Sequence, residues 1–236
     1  MYYPNAFTMT TDAWLLAAII GVFILGIVAQ AMVSRRFSQN AKIRATINLP
    51  AHEVASQLLQ QGGSSVRIEK VHGNLTDHYN PKTHTVGLSE TVYGQSSVAA
   101  VAVAAHEIGH VMQYQAGYTP IRIRNAILPV ANIGSQAAPL LVILGLVLGY
   151  SGLAYFGVIL FSAVLLFQLA TLPVEFNASR RAIAMLQDGN YLTPDEIPRA
   201  KSVLRAAAFT YVVAALSSLI SLLRLFLIAR SSKDRD

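Results

Sequence analysis

No cysteine occurs among the 236 residues of this chain. Its absence excludes disulfides and thiolate metal sites alike, so imidazole and carboxylate groups are left as metal ligands. Charge is scarce too: 13% of residues are Asp, Glu, Lys or Arg, where ordinary soluble domains carry about 25%. With 53% of its residues hydrophobic, a large part of the chain belongs in lipid. The net charge of +6 does not come from a basic stripe interleaved with aromatics. Its basic residues cluster beside apolar runs, which marks membrane flanks and excludes a nucleic-acid surface.

The missing charges define the runs. Residues 13–34 carry none and match the roughly 20 positions that a spanning helix needs. A cleaved signal peptide is the rival reading, with Ala29-Gln30-Ala31 as the cleavage site, but the run has no basic start and its apolar core is too long. It reads as an uncleaved anchor, with Trp14 near one interface and Arg35-Arg36 at the other. A second uncharged run covers 50 positions, 125–174, and is broken near Gly149-Tyr150-Ser151-Gly152, as expected of two spanning helices joined by a tight turn. Its polar members Asn132, Gln136 and Gln168 are expected to face other helices. A third, 206–223, has 18 residues and basic neighbours on both sides, so crossing and folding back are both open.

Between the first two runs lies the stretch Val-Ala-Val-Ala-Ala-His-Glu-Ile-Gly-His starting at Val101. Ser96 or Ser97 can cap a helix here, and four-residue spacing puts His106 and His110 on one face with Glu107 one step round. In a charged helix such a pattern could be a solvated face. Here the flanks are apolar, and burying two histidines and a glutamate without partners costs several kcal/mol, which a divalent cation removes. The pattern H-E-x-x-H therefore reads as a zinc site with its general base, Glu107, attached. Gly109 costs about 1 kcal/mol against alanine within a helix, so it is expected to make room for a close neighbour or a substrate.

The water-soluble part is the segment of about ninety residues from Arg35 to Arg124. Val54, Ala55, Leu58 and Leu59 predict a short amphipathic helix stopped by Gly62-Gly63. Val66, Ile68 and Val71 alternate as in a strand, and Asn80-Pro81 marks a turn between Asp77-His78-Tyr79 and a strand at residues 84–88. A small sheet beside the zinc helix suits a protease, since an extended substrate could pair with it near Val86 to Leu88. A catalytic zinc has three protein ligands and the helix supplies two. Glu175, which ends the second uncharged run and begins an amphipathic helix after Pro173, is the third-ligand candidate, with Ser179 one turn later on the same face. Asp188-Gly189-Asn190 ends that helix, and Thr193-Pro194-Asp195-Glu196 has the form of a capping box.

Asp77-His78-Tyr79-Asn80-Pro81, Leu88-Ser89-Glu90, His106-Glu107-Ile108-Gly109-His110, Glu175-Phe176 with Ala178-Ser179-Arg180-Arg181-Ala182, and Val203-Leu204-Arg205-Ala206-Ala207-Ala208 together resemble the YugP-type membrane-bound neutral zinc metallopeptidases. More distantly they resemble the membrane gluzincins. The resemblance implies a mainly α fold with a small β-sheet, a zincin-like core embedded among about four transmembrane helices. It implies one Zn2+ per chain on His106, His110 and Glu175, with Glu107 as base. In the wider gluzincins an aspartate four residues after the third ligand steadies a zinc histidine; here that place is Ser179, which can accept the imidazole N–H without charge.

The domain reading is 1–34 as N-terminal segment and first span, 35–124 as the soluble zincin-like part, 125–174 as a transmembrane hairpin, 175–205 as the third-ligand helix with the capped helix start, and 206–236 as C-terminal membrane helix and basic tail. The expected activity is endopeptidase cleavage of polypeptides, membrane-associated or unfolded ones included, at the cytoplasmic face of a bacterial inner membrane. Arg35, Arg36, Lys42, Arg44, Arg180 and Arg181 set that side. His78 is a candidate oxyanion donor, with a structural histidine at the sheet edge as the plainer reading; His52, His72 and His84 read as surface residues, and Tyr211 as a packing tyrosine with a donor role as its rival. Two other classes are a zinc-containing membrane scaffold, against which the intact Glu107 argues, and a transporter, against which the uncharged spans argue.

Overall fold

The computed structural model describes the backbone of residues 6–233 and the side chains of residues 13–230. Residues 1–5 of the polar N-terminal segment and 234–236 of the basic tail lie outside the described residues. The elements in order are α1 (Ala6–Ala41), α2 (Ala51–Gln61), β1 (Arg67–Val71), β2 (His78–Asn80), β3 (Thr85–Ser89), α3 (Val98–Gln115), α4 (Thr119–Val147), α5 (Ser151–Asp188) and α6 (Ile197–Lys233). The fold is mainly helical with one small sheet, and α1, α4, α5 and α6 are long and apolar enough to cross a membrane.

Contacts divide the chain into two units. One contains residues 1–28, 122–172 and 210–236. Its α4 and α5 segments approach through small residues: a Cβ at Gly134 would stand 2.6 Å from the Leu160 carbonyl oxygen, and one at Gly145 2.5 Å from the Ala154 nitrogen. Lipid offers helices no hydrophobic drive to associate, so close backbone approach and dispersion must hold such a pair. The turn between them is closed by Gly149 at φ +62°, where only glycine is unstrained, and by the Tyr150 N–H donating to the Gly145 carbonyl at 2.8 Å. Large apolar side chains face outward, among them Phe23, 69% exposed, and Ile159, 67% exposed.

The other unit contains residues 29–121 and 173–209. At its centre is α3, whose alanines and valines from Val98 to Ala105 are almost all fully buried against α2 and the sheet. Ser97 is the cap, accepting the Ala100 N–H at 3.2 Å. The strand order is β1-β3-β2, with β1 parallel and β2 antiparallel to β3. Val86 and Leu88 of β3 enter the core, while Gly87 on the opposite face leaves room for the His78 ring and Val71.

Two sequence expectations change. Val86 to Leu88 belong to the middle strand, already paired along β1 and, to Gly87, along β2, so they offer no edge to a substrate; the open edges are the outer sides of β1 and β2. The Glu175 helix also does not begin after Pro173. Helix α5 runs on from the apolar segment through Pro173 to Asp188; the burial of Thr171, Val174 and Glu175 around the proline outweighs the roughly 3 kcal/mol that it costs inside a helix.

The glutamate half of the capping box forms just before α6, with the Glu196 N–H donating to the Thr193 backbone carbonyl at 2.9 Å, and the carboxylate reaches further than the sequence implies. Glu196 Oε2 accepts the Thr193 N–H at 2.9 Å, while Oε1 accepts the Thr46 N–H at 2.8 Å and its hydroxyl at 2.9 Å. One carboxylate thereby ties the start of α6 to the segment after α1. Burial alone would raise its pKa, but these hydrogen bonds outweigh burial and hold the carboxyl below its ordinary range. A depressed folded-state pKa means that this stabilisation is present above the unfolded pKa and is lost as pH falls through the folded one. Replacing Glu196→Ala should cost about 2 kcal/mol at neutral pH, since it strands polar groups near the core. Thermal unfolding in detergent should show the gap between parent and variant closing under acid.

Candidate metal centre

Helix α3 carries His106 and His110 on one face, their ring centroids 4.8 Å apart and the planes near perpendicular. What meets that face is decided at Gly109. A Cβ there would stand 2.5 Å from the carbonyl oxygen of Ala178, so only glycine lets α3 and α5 cross so closely. Glu175, three residues before Ala178, is thereby brought onto the histidines: its Oε2 lies 3.4 Å from His106 Nε2 and 3.7 Å from His110 Nε2. All three groups are largely enclosed, and their ligand atoms lie within 4.8 Å of one another.

These separations can be tested against an ion. Bonds of about 2.0–2.1 Å to a tetrahedral zinc place neighbouring donor atoms roughly 3.3 Å apart. The two contacts to Glu175, 3.4 and 3.7 Å, are close to that edge, and two imidazoles with one carboxylate leave a fourth position open, as in a catalytic site. Each imidazole also has a partner for its other nitrogen: His106 Nδ1 lies 3.2 Å from Ser179 Oγ, and His110 Nδ1 lies 3.0 Å from Gln113 Oε1. Both Nε2 atoms are therefore aimed at Glu175, the arrangement that presents a lone pair to a metal.

Glu107 is buried beside this group. Burial pushes its carboxyl above the ordinary range, the two histidines pull it partly back, and the charges of Asp77 and Glu175 push it further up. Asp77 itself accepts the Ser89 N–H at 2.8 Å and its hydroxyl at 2.9 Å, capping the part of β3 that β2 is too short to reach. Its carboxyl is raised by burial, which the Ser89 bonds offset only in part.

A family model described as "Putative neutral zinc metallopeptidase" matches residues 15–230. The chain belongs to that family. A protein of Bacillus subtilis (strain 168) named "Putative membrane protease YugP" is 43% identical over 209 residues, which is 88% of this chain and 93% of that protein. No solved structure matches the chain. Membership makes this chain a zinc metallopeptidase, in agreement with the resemblance read from its motifs.

Among the described residues no other histidine joins the metal-binding group. His78 lies on β2 with its ring over Gly87 and Nδ1 2.9 Å from its neighbour's carbonyl, Thr76 O. His72 Nδ1 meets Glu90 at 3.1 Å on the surface, His52 stacks on Tyr93 at 4.2 Å, and His84 stands exposed at φ +51° in the turn before β3. Tyr211 belongs to the other unit. Sequence reasoning missed Gln113 and Asn177. The one signal available was position: Gln113 follows His110 by three residues and so lies beside it on the helix.

Gly109→Ala separates the local from the tertiary effect. Helix propensity alone would stabilise the variant by about 1 kcal/mol. The clash with Ala178 reverses the sign, so the variant should unfold at lower temperature and bind zinc at least tenfold more weakly, measured by chelator competition.

Proposed function

We propose that the enzyme is an integral-membrane endopeptidase that holds one zinc on His106, His110 and Glu175 and uses Glu107 as general base, at the cytoplasmic membrane surface. The observation that carries this reading is the convergence of the three ligand atoms within 4.8 Å with Glu107 buried at their side. Zinc, when bound, supplies Lewis-acid polarisation of the scissile carbonyl and a water acidified towards a pKa of about 7.

The chain's own groups do the rest. The Glu107 carboxylate takes the proton of the attacking water and later gives it to the leaving amine, acting first as base and then as acid. Ser179 and Gln113 hold the two imidazoles in orientation. The outer side of β2, which packs beside α3, is the edge along which an extended polypeptide would lie, with backbone hydrogen bonds giving affinity without demanding a sequence.

The substrate class is polypeptide, membrane-associated or unfolded chains included. The protease part is assigned to segments 35–124 and 175–205, carried by membrane helices in 1–34, 125–174 and 206–236. A bacterial inner membrane with the site on the cytoplasmic side fits the exposed Arg35, Arg36, Lys42 and Arg44 after the first span and Arg180 beside the third ligand.

Glu107→Gln is the direct test, with casein or peptide cleavage followed on detergent-purified protein. The variant should keep its zinc and its thermal transition but lose nearly all hydrolysis, since an amide cannot take the proton. Cleavage near the parental rate would remove Glu107 from the base role. Chelator should abolish parental activity and added zinc should restore it.

Orientation is tested separately in this cysteine-free chain with Ser65→Cys and Tyr150→Cys, both at exposed positions. In intact cells an impermeant thiol reagent should label position 150 and spare position 65. The reverse pattern would move the site to the outer face.

A further inference from the structure

The orientation of His110 leads to a second layer of residues whose donors and acceptors can be assigned from one fixed point. Arg181 Nε lies 2.8 Å from the side-chain oxygen position of Asn177. A guanidinium has donors and no acceptor, so the Asn177 atom facing it must be Oδ1. That same atom lies 3.1 Å from the Gln113 amide, whose facing atom must therefore be Nε2, and Nε2 also donates to the Val174 carbonyl at 2.7 Å. Both Gln113 N–H groups are thereby engaged, and its oxygen is left for His110 Nδ1 at 3.0 Å. The ring must carry its proton on Nδ1. Its lone pair is then on Nε2, the atom facing Glu175.

From this we infer that Arg181, Asn177 and Gln113 form a positioning chain that sets the tautomer of His110, and that Gln113 is its central member. Gln113 is fully buried, 0% exposed, in an apolar helix, where an amide survives only if its groups are satisfied. By reaching the Val174 carbonyl it also fixes the backbone next to Glu175, so one carboxamide tethers the second and third ligands to each other. The inference rests on the proposed ligand set and adds to it the residues that make that set competent. Reversing the amides would turn a donor toward Nδ1 and force the ring's proton onto the metal-facing nitrogen.

The test measures zinc affinity of the detergent-purified full chain by competition with a chromophoric chelator, alongside the visible absorption of the Co2+-loaded protein. Gln113→Leu and Asn177→Leu should weaken zinc about 10–100-fold, the usual consequence of losing a ligand's outer partner, and should alter the Co2+ band. Asn177→Asp should restore both readouts, because a carboxylate accepts from Arg181 and Gln113 and keeps the chain's direction, a rescue that simple packing would not give.

Parental affinity in Gln113→Leu overturns the inference. So does equal weakening in Asn177→Asp and Asn177→Leu. If Gln113→Leu does not fold, the Asn177 pair decides the matter, with thermal transitions confirming that both are folded. His110→Ala distinguishes the two layers: full zinc there overturns the ligand assignment itself, whereas zinc loss there with parental affinity in Gln113→Leu overturns the positioning chain alone.

Discussion

The crossing of α3 and α5 at Gly109 is the constraint on which the site depends. Two candidate ligands sit on one helix and the third on another, separated by 65 positions of sequence between His110 and Glu175. Ligand geometry has to be held to about half an ångström. Backbone touching backbone achieves this better than interdigitated long side chains, because nothing at the contact can change rotamer. Ala178, fully buried on α5, and the buried alanines along α3 keep the helix faces small.

The close approach encloses an unusual concentration of polar groups. Glu107, Glu175 and Gln113 are all buried, with both histidines mostly enclosed. Two acids with no cation between them would be costly there. On the proposed ligand set a divalent charge would stand among them, and the neutral groups Ser179, Gln113 and Asn177 complete the hydrogen bonding. The stability of this unit and its metal affinity are therefore one property seen from two sides.

How much of this could be read from the chain follows from how local each signal is. The H-E-x-x-H spacing, the uncharged runs, the Ser97 cap and the Thr193–Glu196 box are each written within a few residues, and each was legible. Gly109 announced that something came close but not what, since Ala178 is 69 positions away. Strand order was illegible for the same reason: a period of two shows which side chains point inward, never which strand lies in the middle. The continuity of α5 through Pro173 overrode a sound local rule, because the burial of Thr171, Val174 and Glu175 around it outweighs the roughly 3 kcal/mol that an interior proline costs. Gln113 was hidden for a different reason, as a glutamine in a helix is ordinary until its three side-chain partners are known.

The identity of the groups behind the two histidines bears on how hard the site can work. A metal-bound histidine commonly has a carboxylate behind it; here the partners of His106 and His110 are a hydroxyl and an amide, Ser179 and Gln113, both uncharged. A carboxylate behind an imidazole raises its basicity and passes negative charge toward the ion. Neutral acceptors fix the ring without doing so. On the proposed ligand set Glu175 is then the one anionic ligand, which leaves more of the ion's charge for the water and the scissile carbonyl. Orientation, which a charged partner would enforce by strength, has to come instead from geometry. That is what the fully buried Gln113, anchored to the Val174 carbonyl and to Asn177, provides.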